Sequence, residues 1–350
     1  PAGLGYATVA ACAGFSAVTG SSAATVATIG RIAIHEMRKH GYNPGFAAAI
    51  VAAAGTLGIL IPPSVVLVIY GMLSGESIGQ LLIAGVIPGI LSAFMYAFVV
   101  WWRSRSEIDD SAPISLRPES NVAVKQTTTT GQLTSVLKIA LIFTIVIGGI
   151  YSGVFTATES GAIAAATALL LFVYTSIRQR EFKLWKGLAQ ALQETTAVSS
   201  MIFMLLIGGG VFAFFMASGG YGRAFAAWAT DLPLPGALII IVFLLILLPL
   251  GMFLDAMSIM LITVPLLHPV VLELGFDGVW FAILVVKMIE LGLITPPVGI
   301  NIFVVSGVVA DLKVEQVFRA VWPFALIELV TVSILFLIPP LVTWLPSMIS

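Results

Sequence analysis

Charge and cysteine are both scarce in this chain. Of 350 residues only 9% are charged, against about 25% in an average soluble domain, and the formal net charge is −1. A nucleic-acid interface needs a basic face, so nucleic acid is not an expected partner. A single cysteine, Cys12, excludes a disulfide framework and a Cys-based metal site. His35, His40 and His268 lack metal-ligand spacing and are expected at a surface or interface, and no cofactor is expected. Ten-residue strands of alternating polarity, which an outer-membrane barrel requires, are missing. So is a His-Glu-x-x-His motif, and Asp255 has no intramembrane Asp partner, so an enzyme is not expected. No charged n-region or cleavage site precedes the apolar sequence, which begins at Pro1 rather than at a methionine.

What is abundant is apolar sequence. Hydrophobic residues make up 59% of the chain and the mean hydropathy is +1.09. Runs close to the roughly 20 residues of a spanning helix recur at Leu81–Trp102, Leu137–Tyr151, Ile163–Ile177, Ala197–Ala217 and Phe324–Leu341. The expected class is an all-α polytopic membrane protein.

Two segments repeat at a constant offset of 234 residues. Gly58-Ile59-Leu60-Ile61-Pro62-Pro63 maps onto Gly292-Leu293-Ile294-Thr295-Pro296-Pro297, and Gly41, Tyr42 and Asn43 map onto Gly275, Phe276 and Asp277. Agreement across two separated clusters indicates an internal repeat, and interrupted apolar segments in both copies point to the binding site of a secondary transporter. The first unit, 1–73, reads as a re-entrant hairpin interrupted at Gly20-Ser21-Ser22, with arms each too short to span, followed by a helix broken at Gly58–Pro63. A connecting helix at 74–102, a polar cytoplasmic linker at 103–132 and scaffold helices at 133–235 follow, with the charged stretch 181–194 expected at the surface. The second unit, 236–310, repeats the hairpin with a break at Gly251–Asp255 and the broken helix, and 311–350 holds a terminal scaffold helix. Counting crossings makes the two broken helices run in opposite directions, so the repeats are inverted. On that topology 14 of the 16 Lys and Arg residues fall on the cytoplasmic side, leaving Arg223 outside and Lys287 within a helix.

The breaks carry the expected chemistry. Proline lacks an N–H, so each Pro-Pro pair leaves carbonyls of the preceding turn without donors, and in hydrocarbon such groups persist only where protein, water or an ion satisfies them. Freed carbonyls at the end of one half-helix suit a desolvated Na⁺, and the N-terminus of the next suits an anion. The hairpin breaks supply an opposing wall of oxygen ligands from Gly20, Ser21, Ser22 and Thr25, and from Gly251, Asp255 and Ser258. Ser22 and Asp255 could equally act as N-caps of the return arms. Asn301, one turn beyond Pro297, is placed to face substrate or to bridge helices. Lys287 is the one buried cation suited to a substrate carboxylate, although Glu290, three residues on, could pair with it.

The runs Ala52–Ser64 and Glu290–Gly299, with Gly251-Met252-Phe253-Leu254-Asp255, resemble the large membrane subunit of tripartite ATP-independent periplasmic (TRAP) transporters across essentially the whole chain. The resemblance implies an elevator-type, Na⁺-driven importer of organic acids in the bacterial inner membrane. Its partners would be a small membrane subunit and a periplasmic substrate-binding protein. It also implies one Na⁺ site framed by Gly20, Ser21, Ser22, Gly55, Gly58, Ile61 and Pro62, and another by Gly251, Asp255, Gly292, Thr295 and Pro296, with Thr25, Ser258, Asn301 and Lys287 as substrate-binding candidates. A C4-dicarboxylate, a keto acid, a sugar acid or a sialic acid would fit such a site. A binding-protein-independent Na⁺/dicarboxylate symporter is the alternative; a passive channel would need no paired inverted breaks. Three helices precede the second hairpin and none precedes the first, so about three further helices are expected upstream of Pro1.

Overall fold

A computed structural model describes residues 2–108, 129–178, 184–309 and 311–348, and its secondary structure is almost wholly helical. The first unit comprises α1 (Gly3–Thr19), α2 (Ser22–Lys39), α3 (Pro44–Leu60) and α4 (Val65–Ser74); α5 (Ile78–Ala84) and α6 (Val86–Glu107) follow. Next come α7 (Thr129–Tyr151), α8 (Ala157–Arg178), α9 (Leu184–Ser218) and α10 (Tyr221–Thr230). The second unit is α11 (Gly236–Phe253), α12 (Ala256–Glu273), α13 (Gly278–Ile294) and α14 (Ile300–Val308), and α15 (Val314–Leu337) and the short α16 (Pro340–Thr343) close the chain. Among the described residues six helical stretches are long and apolar enough to cross a membrane, and the pair α3–α4, bent by 43°, would make a seventh.

The repeat extends to local geometry. Asn43 and Asp277 each cap the broken helix that follows, accepting from Gly45 N and Phe46 N in one case and from Trp280 N in the other. Gly41 and Gly275 both take left-handed φ, 78° and 80°, where a side chain would be strained. The turns they make close with equivalent bonds, Tyr42 N to Met37 O and Phe276 N to Val271 O, both 3.1 Å.

The two units point in opposite directions. At the foot of the first hairpin Gly5 N donates to the Tyr42 hydroxyl at 3.1 Å, and Asn43 N donates to Glu107 O at 2.9 Å, which gathers Arg38, Lys39, Arg103 and Arg105 at one end of the molecule. From this basic end α3 and α4 run across to Glu76, which lies against the first residues of α13, so α13 starts at the opposite end and runs back. The short half-helices cross over between units: α4 packs on α12 of the second unit, and α14 packs on α2 of the first.

Several expected boundaries shift. The hairpin arms are 17 or 18 residues long, about 26 Å at 1.5 Å per residue, so they are not individually much shorter than a bilayer core. They form hairpins because each turns back level with a break in its partner helix. The breaks lie past the middle of their spans, since α3 and α13 have 17 residues while α4 and α14 have 10 and 9. The connecting helix divides at Gly85, where a methyl group would collide with the Leu60 carbonyl, and it continues to Glu107 rather than stopping at 102. Residues 184–194 lie at the surface as the first turns of α9, whereas most of the polar linker lies outside the described residues.

Candidate ion and substrate site at the paired helix breaks

The tip of the first hairpin meets the first break. Gly20, left-handed at φ 59°, abuts the Pro63 carbonyl, from which a methyl group would be 2.8 Å away. A methyl at Gly58 would lie 3.1 Å from the Ser21 carbonyl oxygen and 3.2 Å from Ser16 Oγ, so only glycine lets α3 approach this closely. Gly55 gives the same close approach one turn earlier, against Val26 and the Ser22 carbonyl. Gly20, Ser21, Ser22, Gly55, Gly58 and the Pro62-Pro63 break are therefore brought together. The Ile61 side chain turns away, toward Gly89 on α6.

Hydrogen bonding at this break is incomplete in a specific way. Pro62 and Pro63 remove the donors four residues beyond Gly58 O and Ile59 O. Ser64 Oγ donates to Ile59 O and also caps α4, accepting from Leu67 N at 3.3 Å. The Gly58 carbonyl has no such replacement. Ser16 Oγ, 3.2 Å from where a methyl on Gly58 would sit, is fully buried and has no hydrogen-bond partner. Ser16 and Ser64 escaped the sequence reading because each hydroxyl sits in an apolar run outside the duplicated motif.

The second break repeats the close approach with different chemistry. A methyl on Gly292 would lie 2.5 Å from Gly251 Cα and 3.1 Å from Gly251 O, so two glycines bring the arm and the broken helix into backbone contact. Here the hydroxyl precedes the prolines: Thr295 Oγ1 donates to Leu291 O at 2.5 Å, and Thr295 N to Gly292 O at 3.1 Å. Pro297 leaves the Leu293 carbonyl without its usual donor. At the hairpin tip Asp255 caps α12, accepting from Met257 N at 3.0 Å and Ser258 N at 3.2 Å, while Ser258 Oγ donates to its other oxygen at 2.5 Å. Asp255 is exposed and Ser258 half-buried. Both prolyl bonds, Pro62-Pro63 and Pro296-Pro297, are cis.

The remaining candidates divide among the alternatives open to them. The N-cap of α2 is Ser21, accepting from Ala24 N at 3.4 Å, and not Ser22. Ser22 Oγ instead accepts from Asn301 Nδ2 at 2.6 Å, and the same amide donates to Ala52 O at 3.2 Å, so Asn301 bridges the two units. Thr25 Oγ1 bonds Ser21 O at 2.9 Å and Thr19 Oγ1 at 3.0 Å, tying the two arms of the hairpin. Lys287 does not offer a free donor to a substrate. Its Nζ meets Glu290 at 2.5 Å, Ser92 Oγ at 2.9 Å and Glu328, and an ammonium has only three N–H groups. All three charged groups are fully buried between α6, α13 and α15. Glu328, in a helix read as plain scaffold, gave no sequence signal as a partner 41 residues away. Of the two positions expected for His268 it takes the interface, where it is buried with its Nδ1 3.0 Å from the Tyr70 hydroxyl.

Two inverted units, each with a hairpin whose tip reaches the break of a helix, define an inverted-repeat membrane transporter. Residues 1–341 match the family model described as "Tripartite ATP-independent periplasmic transporter, DctM component". The chain belongs to that family, and it is a transport permease rather than an enzyme. It is 38% identical to the C4-dicarboxylate TRAP transporter large permease protein DctM of Pseudomonas aeruginosa, over 99% of this chain and 78% of that one. It is 34% identical to the isethionate TRAP transporter permease protein DctMQ of Oleidesulfovibrio alaskensis, over 97% of this chain and 51% of that one. The fold is similar to the crystal structure of the Alcanivorax borkumensis YdaH transporter, with a TM-score of 0.68 at 16% identity, covering 99% of this chain and 85% of that one.

Proposed function

We propose that this permease imports a small organic acid across the bacterial inner membrane, driven by Na⁺ and supplied by a periplasmic substrate-binding protein. The observation that carries the Na⁺ reading is at the first break, where the buried, unpartnered Ser16 hydroxyl lies beside Gly58, whose carbonyl has lost its donor to Pro62. A desolvated Na⁺ satisfies oxygens of this kind without needing imidazole or thiolate. Gly20, Ser21, Ser22, Gly55 and Gly58 frame this site; Gly251, Asp255, Gly292, Thr295 and Pro296 frame the second. At about 2.3 kcal/mol per charge per 100 mV, two inward Na⁺ ions would supply roughly 4.6 kcal/mol from the potential alone.

The acid's carboxylate belongs at the N-terminus of α14. Ser64 caps α4 with its side chain, whereas Gly299 leaves α14 without a side-chain cap, so its first N–H groups and helix dipole are open to an anion. Asn301 lies in the first turn of α14, and Thr25 lies on α2, against which α14 packs. The names of the relatives, a C4-dicarboxylate permease and an isethionate permease, support a small organic acid as substrate. The relative named DctMQ is about twice as long as the stretch matched here, which agrees with a second membrane subunit as partner. Transport would proceed by elevator movement, with the two hairpins and broken helices as the mobile body and the remaining helices as scaffold.

The test is uptake of a panel of organic acids by proteoliposomes holding the complete transporter complex. Uptake should require Na⁺ and the binding protein, and Ser16→Ala should weaken the apparent Na⁺ affinity. Full uptake in K⁺ buffer, or without the binding protein, would overturn the reading.

A further inference from the structure

A buried polar chain unrelated to the helix breaks joins the two units at the end of the molecule away from the basic face. Tyr70 on α4 bonds His268 Nδ1 at 3.0 Å with the rings edge to face, and His268 Nε2 lies 3.3 Å from Glu76 Oε1 in the α4–α5 turn. His268 is only 4% exposed, and its Nε2 is within ion-pair distance of Glu76 but lacks a hydrogen bond. The Glu76 carboxylate is pressed against the start of α13, where a methyl on Gly278 would overlap it, and Asp277 caps the same helix through Trp280 N at 2.7 Å.

The charges around this imidazole do not balance. Tyr70 from α4, Glu76 from the α4–α5 turn and Asp277 from α13 supply two carboxylates and no cation. Arg223 on α10, which packs beside α12, makes no ion pair with Glu76 or Asp277 among the described residues. Burial, and then the neighbouring Asp277 carboxylate, pushes the Glu76 carboxyl above its usual range.

The repeat shows that the fold does not require this set. At the offset of 234 residues the positions of Tyr70, Glu76, His268 and Asp277 correspond to Val304, Ala310, Ile34 and Asn43, none of them titratable. One end of the molecule has a polar chain where the other has Val304, Ile34 and the Asn43 amide.

We propose that His268 and Glu76, oriented by Tyr70, form a proton-binding site that fastens the foot of the second hairpin to the end of α4. With His268 neutral, the Tyr70 hydroxyl donates to Nδ1 and Nε2–H faces Glu76. On uptake of one proton Nδ1–H donates to the Tyr70 oxygen, and the imidazolium pairs with the Glu76 carboxylate, offsetting the Glu76 and Asp277 charges. No bond other than N–H or O–H is made or broken. The ligand is a proton from the compartment facing this end. The site's effect is to hold α12, the return arm of the second hairpin, against α4 more tightly as that compartment becomes acidic. It stands independently of the Na⁺ reading.

The test is a titration of the intact permease labelled with ¹³C at histidine Cε1, taking as His268 the resonance that disappears in His268→Gln. That resonance should shift with pH as the imidazole takes up its proton. Glu76→Gln should lower its midpoint by about one pH unit, a tenfold loss of proton affinity. Tyr70→Phe should shift the neutral-form resonance and serves as a second probe should Glu76→Gln fold poorly. Hydrogen exchange in the last two turns of α12, corrected for intrinsic rates, should slow at acid pH in the wild type but not in His268→Gln. A His268 resonance that does not titrate, or one whose midpoint is unchanged by Glu76→Gln, overturns the proposal.

Discussion

Asn301 Nδ2 donates to Ser22 Oγ at 2.6 Å, joining residues 279 positions apart and belonging to opposite units. The same amide reaches Ala52 O on α3, so one side chain of α14 holds both the tip of the first hairpin and the broken helix beside it. A residue proposed at the substrate carboxylate thereby touches the hairpin proposed to hold Na⁺, a direct physical route for coupling the two. Ser22→Ala and Asn301→Ala should each lower the thermal stability of the purified permease, because each breaks a buried polar contact at a cost of about 1–3 kcal/mol. In a double-mutant cycle the losses should be non-additive by about 1 kcal/mol or more. Additive losses would show that the contact contributes nothing in the membrane protein.

Gly292→Ala should abolish uptake. Its methyl would lie 2.5 Å from Gly251 Cα, and neither backbone can move without parting the hairpin from the break. Overpacking of this kind costs about 1–3 kcal/mol, visible as a lowered melting temperature. Gly208→Ala on α9, where a methyl meets nothing within 4 Å, is the control and should transport normally.

Lys287→Met should be among the most destabilising single substitutions in the chain. It strands Glu290 and Glu328 in a water-excluded interface, and removing one partner from a buried ionic group costs about 3–5 kcal/mol. Neutralising all three, as Lys287→Met with Glu290→Gln and Glu328→Gln, should recover much of the loss. Recovery of stability together with near-normal substrate KM would assign the triad to packing; a stable triple variant that had lost only substrate affinity would restore Lys287 as a substrate ligand.

Asp255→Asn and Asp255→Ala separate capping from ion binding. The amide still caps α12, while alanine forfeits about 1 kcal/mol of helix stability. If Asp255 contributes to the second Na⁺ site, both variants should raise the Na⁺ concentration for half-maximal uptake. A right shift in the alanine variant alone would reduce the residue to its cap.

How much of this was readable in the sequence follows from the range of the signals. The repeat, its inversion and the breaks were legible because proline pairs, glycines and the placement of arginines act locally and leave marks at fixed spacing. The caps Asn43 and Asp277 lie within the duplicated cluster for the same reason. Partners across the fold left no such mark. Nothing near Lys287 announces Glu328, and Asn301 cannot reveal from its own neighbours whether it reaches a ligand or Ser22. A single hydroxyl in an apolar helix, such as Ser16, ordinarily bonds the carbonyl one turn back, and Ser64 has no counterpart at the offset position Val298. Only the meeting of α1 with Gly58 sets Ser16 apart.

The crossing of the short half-helices, α4 onto α12 and α14 onto α2, also bears on ancestry. A lone copy of either unit would expose the face of its hairpin that the other copy's half-helix now covers, and would complete itself only against a copy inserted upside down. The present chain has the form of such an antiparallel homodimer, fused by the intervening helices and then free to diverge. Serine and asparagine now meet at one crossing, and tyrosine and histidine at the other.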